Sequence, residues 1–384
     1  MTTHTVRGSS AIVGVGTTPG WNSPGFSALD QLGIAVRAAA DDAGIEVDDI
    51  DGLFTATLSQ FMPALSVAEY LGIHPKYMDG TNIGGSSFLA HLLSATVALN
   101  AGLCKVACIC YGSNQLSAGG KLATLTEPSL WELPYKPRNP ITGYALATAR
   151  HMHQYGTTRE DLANVAVSAR RWAQLNPEAY ERAPLTVENV LESRMVSDPL
   201  SVLDCCLVTD GGGALILVKA DAAKDYPQKP AYVLGVGMET THRQVSQMAD
   251  MTVSGAKVSG QRAYAMAQVS PQDIDVLQLY DAFTINTILF LEDLGFCLKG
   301  EGGAFVSSGA IAPGGTLPVN TNGGGLSCNH PGMYGVFALI EAVRQIRGNC
   351  GDRQVAGVDL ALAHGNGGQL ASEVTAILGS EATL

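Results

Sequence analysis

The chain has 384 residues, 46% of them hydrophobic and 15% charged, with a formal net charge of −12. That length holds two core-forming units, and a pI near 5.1 without a lysine/arginine stripe argues against a nucleic-acid binder or a basic membrane-surface protein. No apolar run of about 18 residues is present, the N-terminus lacks a signal-peptide core, and the eight cysteines show no framework spacing, which predicts reduced thiols in the cytoplasm.

Ser10–Gly16 reads as a buried strand ending in a glycine turn. A helix follows over Ala28–Gly44, with Leu29, Leu32, Ala35, Val36 and Ala39 on one face. The acidic turn at Asp49-Ile-Asp51 leads into a second strand. Thr81-Asn-Ile-Gly-Gly-Ser-Ser87 then opens a helix over Phe88–Asn100, before a strand at Lys105–Cys110. Cys104, Cys108 and Cys110 alternate there as a buried strand would, and no histidine or second cysteine pair completes a zinc pattern, so no metal site is expected.

The same order returns in the second half. Ala231–Gly237 is again a strand ending in glycine, Gly260–Gln268 is helical, and Asp273-Ile-Asp275 marks the acidic turn before a strand that ends at Tyr280. Thr321-Asn-Gly-Gly-Gly325 matches the earlier Thr-Asn loop and precedes a helix at Val336–Arg347 and a strand at Val358–Ala363. A repeat this long predicts two β-α-β-α-β units with mainly parallel sheets and helices sandwiched between them, a five-layer α/β/α/β/α body. Residues 112–200 do not fit the repeat. They hold Pro128, Pro134, Pro137 and Pro140, and helices at Tyr144–Tyr155 and Arg159–Leu175, as an inserted loop domain would. The basic residues of this insert (Lys136, Arg138, Arg150, His151, His153, Arg170, Arg171) suit a solvated helix face or a phosphate grip. Asp210–Val218 closes the first half as a strand.

The most informative stretch is Asn320–Gly335, which gathers glycines at 323, 324, 325, 332 and 335 with His330, Tyr334 and Cys328. A glycine-rich loop that runs into a helix presents backbone N–H groups to an anion or a polarised carbonyl. Tyr280 ends a strand at the corresponding edge of the repeat, and its unperturbed pKa of about 10 requires either a lowered value for base work or use as an acid. Tyr334 stands at the helix start, where the macrodipole favours its phenolate by up to about 1 kcal/mol.

Together these residues resemble the thiolase superfamily, most closely its sterol-carrier-protein-type branch, over essentially the whole chain. The segments that carry the resemblance are Tyr280-Asp-Ala-Phe283, Asn322-Gly-Gly with Asn329-His-Pro331, His151-Met-His-Gln-Tyr-Gly156 and His364-Gly-Asn-Gly-Gly368. The resemblance implies a duplicated five-layer fold with two mainly parallel mixed sheets, halves at 1–225 and 226–384, and a tight homodimer. The apolar strand Val106–Tyr111 is the candidate dimer edge. It also implies an acyl-coenzyme A substrate, with coenzyme A as part of that substrate and no covalently bound cofactor.

The departures from the family pattern shape the functional expectation. The loop that carries the nucleophilic cysteine in degradative thiolases reads Ile83-Gly-Gly-Ser-Ser87, with Gly84 on the cysteine position, so acyl-cysteine chemistry by that route is not expected. A site without its nucleophile but with two tyrosines is similar to the thiolase-like aldolases of bacterial steroid side-chain degradation. Those enzymes cleave a β-hydroxyacyl-coenzyme A and work with a small zinc-ribbon and OB-fold partner. On this reading Tyr280, Tyr334, His330 and His364 are the catalytic candidates, and Asp281, Asn322 and Asn329 support them. Gly84, Gly85, Gly323, Gly324 and Gly367 line the site with backbone. The alternatives are an acyltransferase that uses Cys328, or a non-catalytic acyl-coenzyme A-binding or scaffold subunit.

Overall fold

The computed structural model describes residues 6–57, 59–119 and 130–384; Pro128 lies outside them. Strand β1 (Ser10–Thr17) leads to helix α1 (Ala28–Ala43), which starts at a capping box between Ser27 and Asp30 and stops at left-handed Gly44. The helix presses directly on the strand because Gly14 and Gly16 leave nothing between them: a Cβ on either would overlap the α1 backbone at Ala39 or Ala35. Then come β2 (Gly52–Thr55), α2 (Pro63–Leu71), β3 (Tyr77–Asp79), α3 (Ser87–Asn100) and β4 (Ala107–Ser113). The insert supplies α4 (Ile141–Tyr155), α5 (Arg159–Gln174), α6 (Val187–Glu192) and a short hairpin of β5 (Met195–Ser197) and β6 (Leu200–Ser201). The first half ends with β7 (Gly211–Lys219).

The second half repeats the strand–helix contact of the first. Strand β8 (Ala231–Thr240) lies against α7 (Ala256–Ala267), and Gly235 and Gly237 abut the α7 backbone at Ala263 and Ser259, as Gly14 and Gly16 abut α1. After β9 (Val276–Leu279) come α8 (Thr284–Asp293), which is buried along its whole length, α9 (Gly302–Ser307), α10 (Gly324–Ser327) and α11 (Gly335–Arg347). Strands β10 (Leu360–Gly367) and β11 (Ser372–Gly379) complete the half.

The strand order is β3-β2-β4-β7-β1-β8-β11-β10-β9. The two expected sheets are thus hydrogen-bonded into one, through a seam where Ala11 pairs with Tyr232 and Ile12 with Ala231. The sheet is mixed. Parallel ladders join β2 to β3, β2 to β4 and β9 to β10, where helical crossovers return the chain in the same direction. Strands β7 and β11 return antiparallel, so parallel pairing is confined to the crossovers and does not dominate. Helix α1 covers β1, β4 and β7 on one side, α7 covers β8 and β11, and α3 and α11 lie between strands of the two halves, which gives the five layers. Covered on both faces, β1, β4 and β7 are buried almost throughout, and their sequences are continuous apolar and glycine runs rather than alternating ones. Strand β4 sits inside the sheet, so Val106–Tyr111 is not a free edge; β3 occupies that position. Among the described residues, no helix is long and apolar enough to cross a membrane.

Candidate active site

Tyr280 follows β9, and its backbone N–H donates to the carbonyl of His364 at 3.0 Å, which extends the pairing with β10. Its ring occupies the space that a side chain on Gly85 would need. The glycine-rich loop brings His330 to the same point: the Tyr280 hydroxyl lies 2.9 Å from His330 Nε2. Three of the hydrogen bonds that hold the loop fix its two ends and its middle. Leu279 N–H donates to Asn320 Oδ1 (2.7 Å), Gly325 N–H to Asp281 Oδ1 (2.6 Å) and His330 N–H to Thr209 Oγ1 (3.1 Å). A Cβ on Gly324 would overlap the Asp281 carboxylate, and one on Gly323 would come within 2.7 Å of Ala173 Cβ in α5, so both glycines permit this close seating. Tyr334 stacks nearly parallel to His330 (13°) and edge-on to Tyr280 (ring centroids 5.7 Å apart). Its hydroxyl exchanges hydrogen bonds with the Asn322 carboxamide at 3.0 and 3.1 Å.

Burial sets the electrostatics. His330 is 3% exposed, desolvation lowers its pKa to about 4, and its Nδ1 has no hydrogen-bond partner. Desolvation pushes the phenols of Tyr280 and Tyr334 well above their usual value, with Asp281 and Cys328 adding to the rise at Tyr334. The helix dipole's favour for a phenolate at Tyr334 is outweighed: the residue does start α11, but the dipole's contribution of about 1 kcal/mol is smaller than the cost of a buried phenolate. Asp281 is fully buried, and desolvation raises its pKa to about 7 against the backbone N–H groups that favour its charged form.

His364 stands apart. Its Nδ1 pairs with Thr375 (2.9 Å) and its Nε2 with Glu373 (3.0 Å), its ring packs on Phe290, and only its backbone carbonyl meets Tyr280. Burial lowers its pKa to about 3. The Asn329 side chain makes no hydrogen bond to the Tyr280–His330 pair, and the residue lines a small cavity beside Trp21. Gly84 and Gly367 do lie together, since a Cβ on Gly84 would reach 2.7 Å from Gly367 Cα. Two of the insert's basic residues are structural. His151 pairs with buried Glu292 (3.0 Å), and Arg170 donates to Ser327 and to the Ala183 carbonyl, both at 2.9 Å.

One residue near the site has no mark in the sequence. Tyr144 of α4 is 1% exposed, stacks on Phe283, accepts a hydrogen bond from Asn366 Nδ2 (2.7 Å) and donates to the Gly368 carbonyl (3.0 Å). Among the described residues, no group of three or more His, Cys, Asp or Glu could hold a metal ion.

This geometry can be set beside known proteins. A family model described as thiolase C-terminal domain-like matches residues 237–380. The chain is 35% identical to the acetyl-CoA acetyltransferase of Methanothermobacter thermautotrophicus, over 93% of this chain and 96% of the relative. The chain belongs to the thiolase superfamily. Within that superfamily it is 34% identical to the steroid side-chain-cleaving aldolase of Thermomonospora curvata, over 89% of this chain and 91% of the relative. The solved Ltp2-ChsH2(DUF35) aldolase superposes with a TM-score of 0.88 at 32% identity, covering 98% of this chain and 99% of that one.

The superfamily includes cysteine-using acyltransferases, but this member is a carbon–carbon lyase. Its Thr81–Ser87 loop contains no cysteine. Gly84 has a left-handed φ of 80° and no room for a side chain, so the missing nucleophile does not depend on which loop residue the family's cysteine would occupy. Cys328 is 3% exposed, its thiol pKa is driven up by burial, and its sulfur accepts a hydrogen bond from Asn176 at 3.6 Å. A thiol in that state is a poor nucleophile.

Proposed function

We propose that this thiolase-superfamily lyase cleaves a β-hydroxyacyl-coenzyme A by a retro-aldol reaction, releasing a ketone or aldehyde and a shortened acyl-coenzyme A. The acyl class is a steroid side-chain thioester, as the name of the Thermomonospora relative suggests. The observation that carries the reading is the Tyr280–His330 hydrogen bond at 2.9 Å in a buried site whose neighbouring loop has no thiol.

The reaction needs a base for the β-hydroxyl proton, a stabiliser for the thioester enolate and an acid for the α-carbon. A buried phenol is too weakly acidic to serve as a free phenolate, but here it need not ionise. As the substrate hydroxyl gives its proton to Tyr280, the phenol passes its own proton to neutral His330, and the C–C bond breaks to leave the carbonyl product and the enolate. Tyr334, a neutral phenol hydrogen-bonded to Asn322, gives its proton to the α-carbon, and the proton gathered on His330 returns to the Tyr334 oxygen, so that the cycle ends with every group neutral. The free Nδ1 of His330 is the donor available to the enolate oxygen, where one donor is worth about 3–4 kcal/mol. Asp281 orients the loop. His364 contributes through its backbone.

The acyl-transfer alternative through Cys328 has no support from so deeply buried a thiol. The open edge of β3 and the exposed apolar side chains of Phe61, Met62, Leu65 and Met78 favour pairing with a second copy of the chain. The compound name of the Ltp2-ChsH2(DUF35) structure supports a co-subunit, for which a zinc-ribbon and OB-fold protein is the expected type. The test is an assay of ketone or aldehyde release from β-hydroxyacyl-coenzyme A thioesters, with and without a co-encoded OB-fold protein. Absence of cleavage in both arms, with tight thioester binding retained, would favour the silent-binder reading.

A further inference from the structure

An open cleft of about 810 Å³ lies between the Thr17–Trp21 segment that follows β1 and the Pro177–Tyr180 segment that follows α5. Thr17, Trp21, Glu178 and Arg344 on its wall also line a smaller cavity that continues inward to Asn322, Cys328 and Asn329. The inner cavity offers about 10 Å³ to the centre of a water molecule, roughly what one water needs. Neither Tyr280 nor His330 lines it.

The end of this cavity is polar and unsatisfied. Asn329 is 1% exposed, and neither the Nδ2 nor the Oδ1 of its carboxamide has a hydrogen-bond partner. Burying both atoms unpaired is costly, because each gives up its hydrogen bond to water and gains none in return. An amide that offers both donor and acceptor suits a small neutral molecule that can accept and donate in return, and not an ion. Asn322, on the same cavity, spends its Oδ1 on Gly324 N–H (2.8 Å) and the Tyr334 hydroxyl, and one Nδ2 hydrogen on that hydroxyl. The second Nδ2 hydrogen is left to give.

We infer that this cavity is a resident-water site, built by Asn329 and Asn322 and reached from the Thr17–Arg344 cleft, and that Asn329 positions the Tyr334 hydroxyl through that water. The water accepts from Asn322 Nδ2 and bonds the Asn329 carboxamide, so Asn322 is braced from both sides and keeps one rotamer against Tyr334. Asn329 touches no reacting atom; it is a positioning residue. Its effect on turnover rests on the retro-aldol reading with Tyr334 as the acid, but the water site itself does not.

A high-resolution crystal structure of the protein should show a water within hydrogen-bond distance of both carboxamides. Asn329→Leu should expel it, leave Asn322 free to turn and lower kcat about tenfold, the worth of one well-placed hydrogen bond, with KM within about twofold. Asn329→Ser, which keeps a hydroxyl and leaves space for water, should restore most of kcat. An empty cavity in the wild-type crystal overturns the inference, as does a folded Asn329→Leu variant with unchanged kcat. If Asn329→Leu does not fold, the wild-type density decides alone. If the wild-type protein cleaves no thioester, the aldolase reading fails while the crystallographic result still judges the water site.

Discussion

The Tyr280 hydroxyl and His330 Nε2 are 2.9 Å apart, with the two rings edge to face at 5.5 Å, and burial keeps both groups neutral. A phenol that cannot ionise and an imidazole that cannot easily protonate form a pair that moves a proton only when one arrives from a third group. That property suits a site which must ignore bulk water yet respond to a substrate hydroxyl.

Replacement of either phenol tests this pair and its neighbour. Tyr280→Phe and Tyr334→Phe should each lower kcat on the order of 10²–10⁴-fold, the usual range for general acid–base groups, with KM nearly unchanged. The double variant should lose less than the product of the singles, because the groups act as one unit. Steady-state kinetics of ketone release settle the matter; wild-type kcat in both single variants would reduce the tyrosines to core residues.

The pH profile follows from His330. Its pKa is lowered to about 4, so the imidazole is neutral and able to accept a proton throughout the neutral range and is protonated only below about pH 4. The kcat/KM profile of the free enzyme should therefore stay flat from neutrality downward and fall on an acid limb near pH 4. The phenols, raised well above 10, add no basic limb in the physiological range. An acid limb between pH 6 and 7 would show a solvated histidine and contradict the buried pair.

Asp281 gives stability a pH dependence of its own. Its carboxyl has an ordinary pKa of 3.8 when unfolded and about 7 in the fold, so the folded state binds the extra proton between those values. Stability from this group is greatest at low pH and is lost as pH rises through that window. Asp281→Asn never ionises and escapes that loss. The melting temperature of the variant relative to wild type should climb between pH 4 and 7 and then level off, as thermal unfolding across pH will read. A constant difference would mean that the carboxyl titrates normally.

Thiol chemistry should be dispensable. Cys328→Ala should keep most of the rate, and its loss by orders of magnitude would restore an acyl-cysteine route. Gly84→Ala, by contrast, should destabilise the fold by about 1–3 kcal/mol, because it combines a left-handed φ of 80° with a Cβ 2.7 Å from Gly367 Cα. Chemical denaturation measures the second effect without reference to activity.

What was readable in the residues, and what was not, divides along physical lines. The duplication shows in sequence because each half needs glycines where strand meets helix, at 14 and 16 and again at 235 and 237. His330 and Tyr280 were readable because a glycine-dense loop and a strand end are local features. The pairing of His364 was not, since it depends on the register of the β10–β11 hairpin, which sets His364 opposite Thr375 and within reach of Glu373. Desolvation was also invisible: the helix-start argument for Tyr334 was sound about position but silent about the cost of a buried charge. Tyr144 escaped notice because an inserted helix carries it to the site, and nothing in the spacing of α4 marks it.

Gly85 ties two distant positions into one choice. The Tyr280 ring fills the volume that any side chain at 85 would need, so the two positions cannot be varied independently. A designed residue at 85 must displace the ring at 280 and also clear the Asn366 carbonyl oxygen, which would lie 2.9 Å from its Cβ. Any redesign of the reacting face at Tyr280 therefore inherits a bare backbone opposite it.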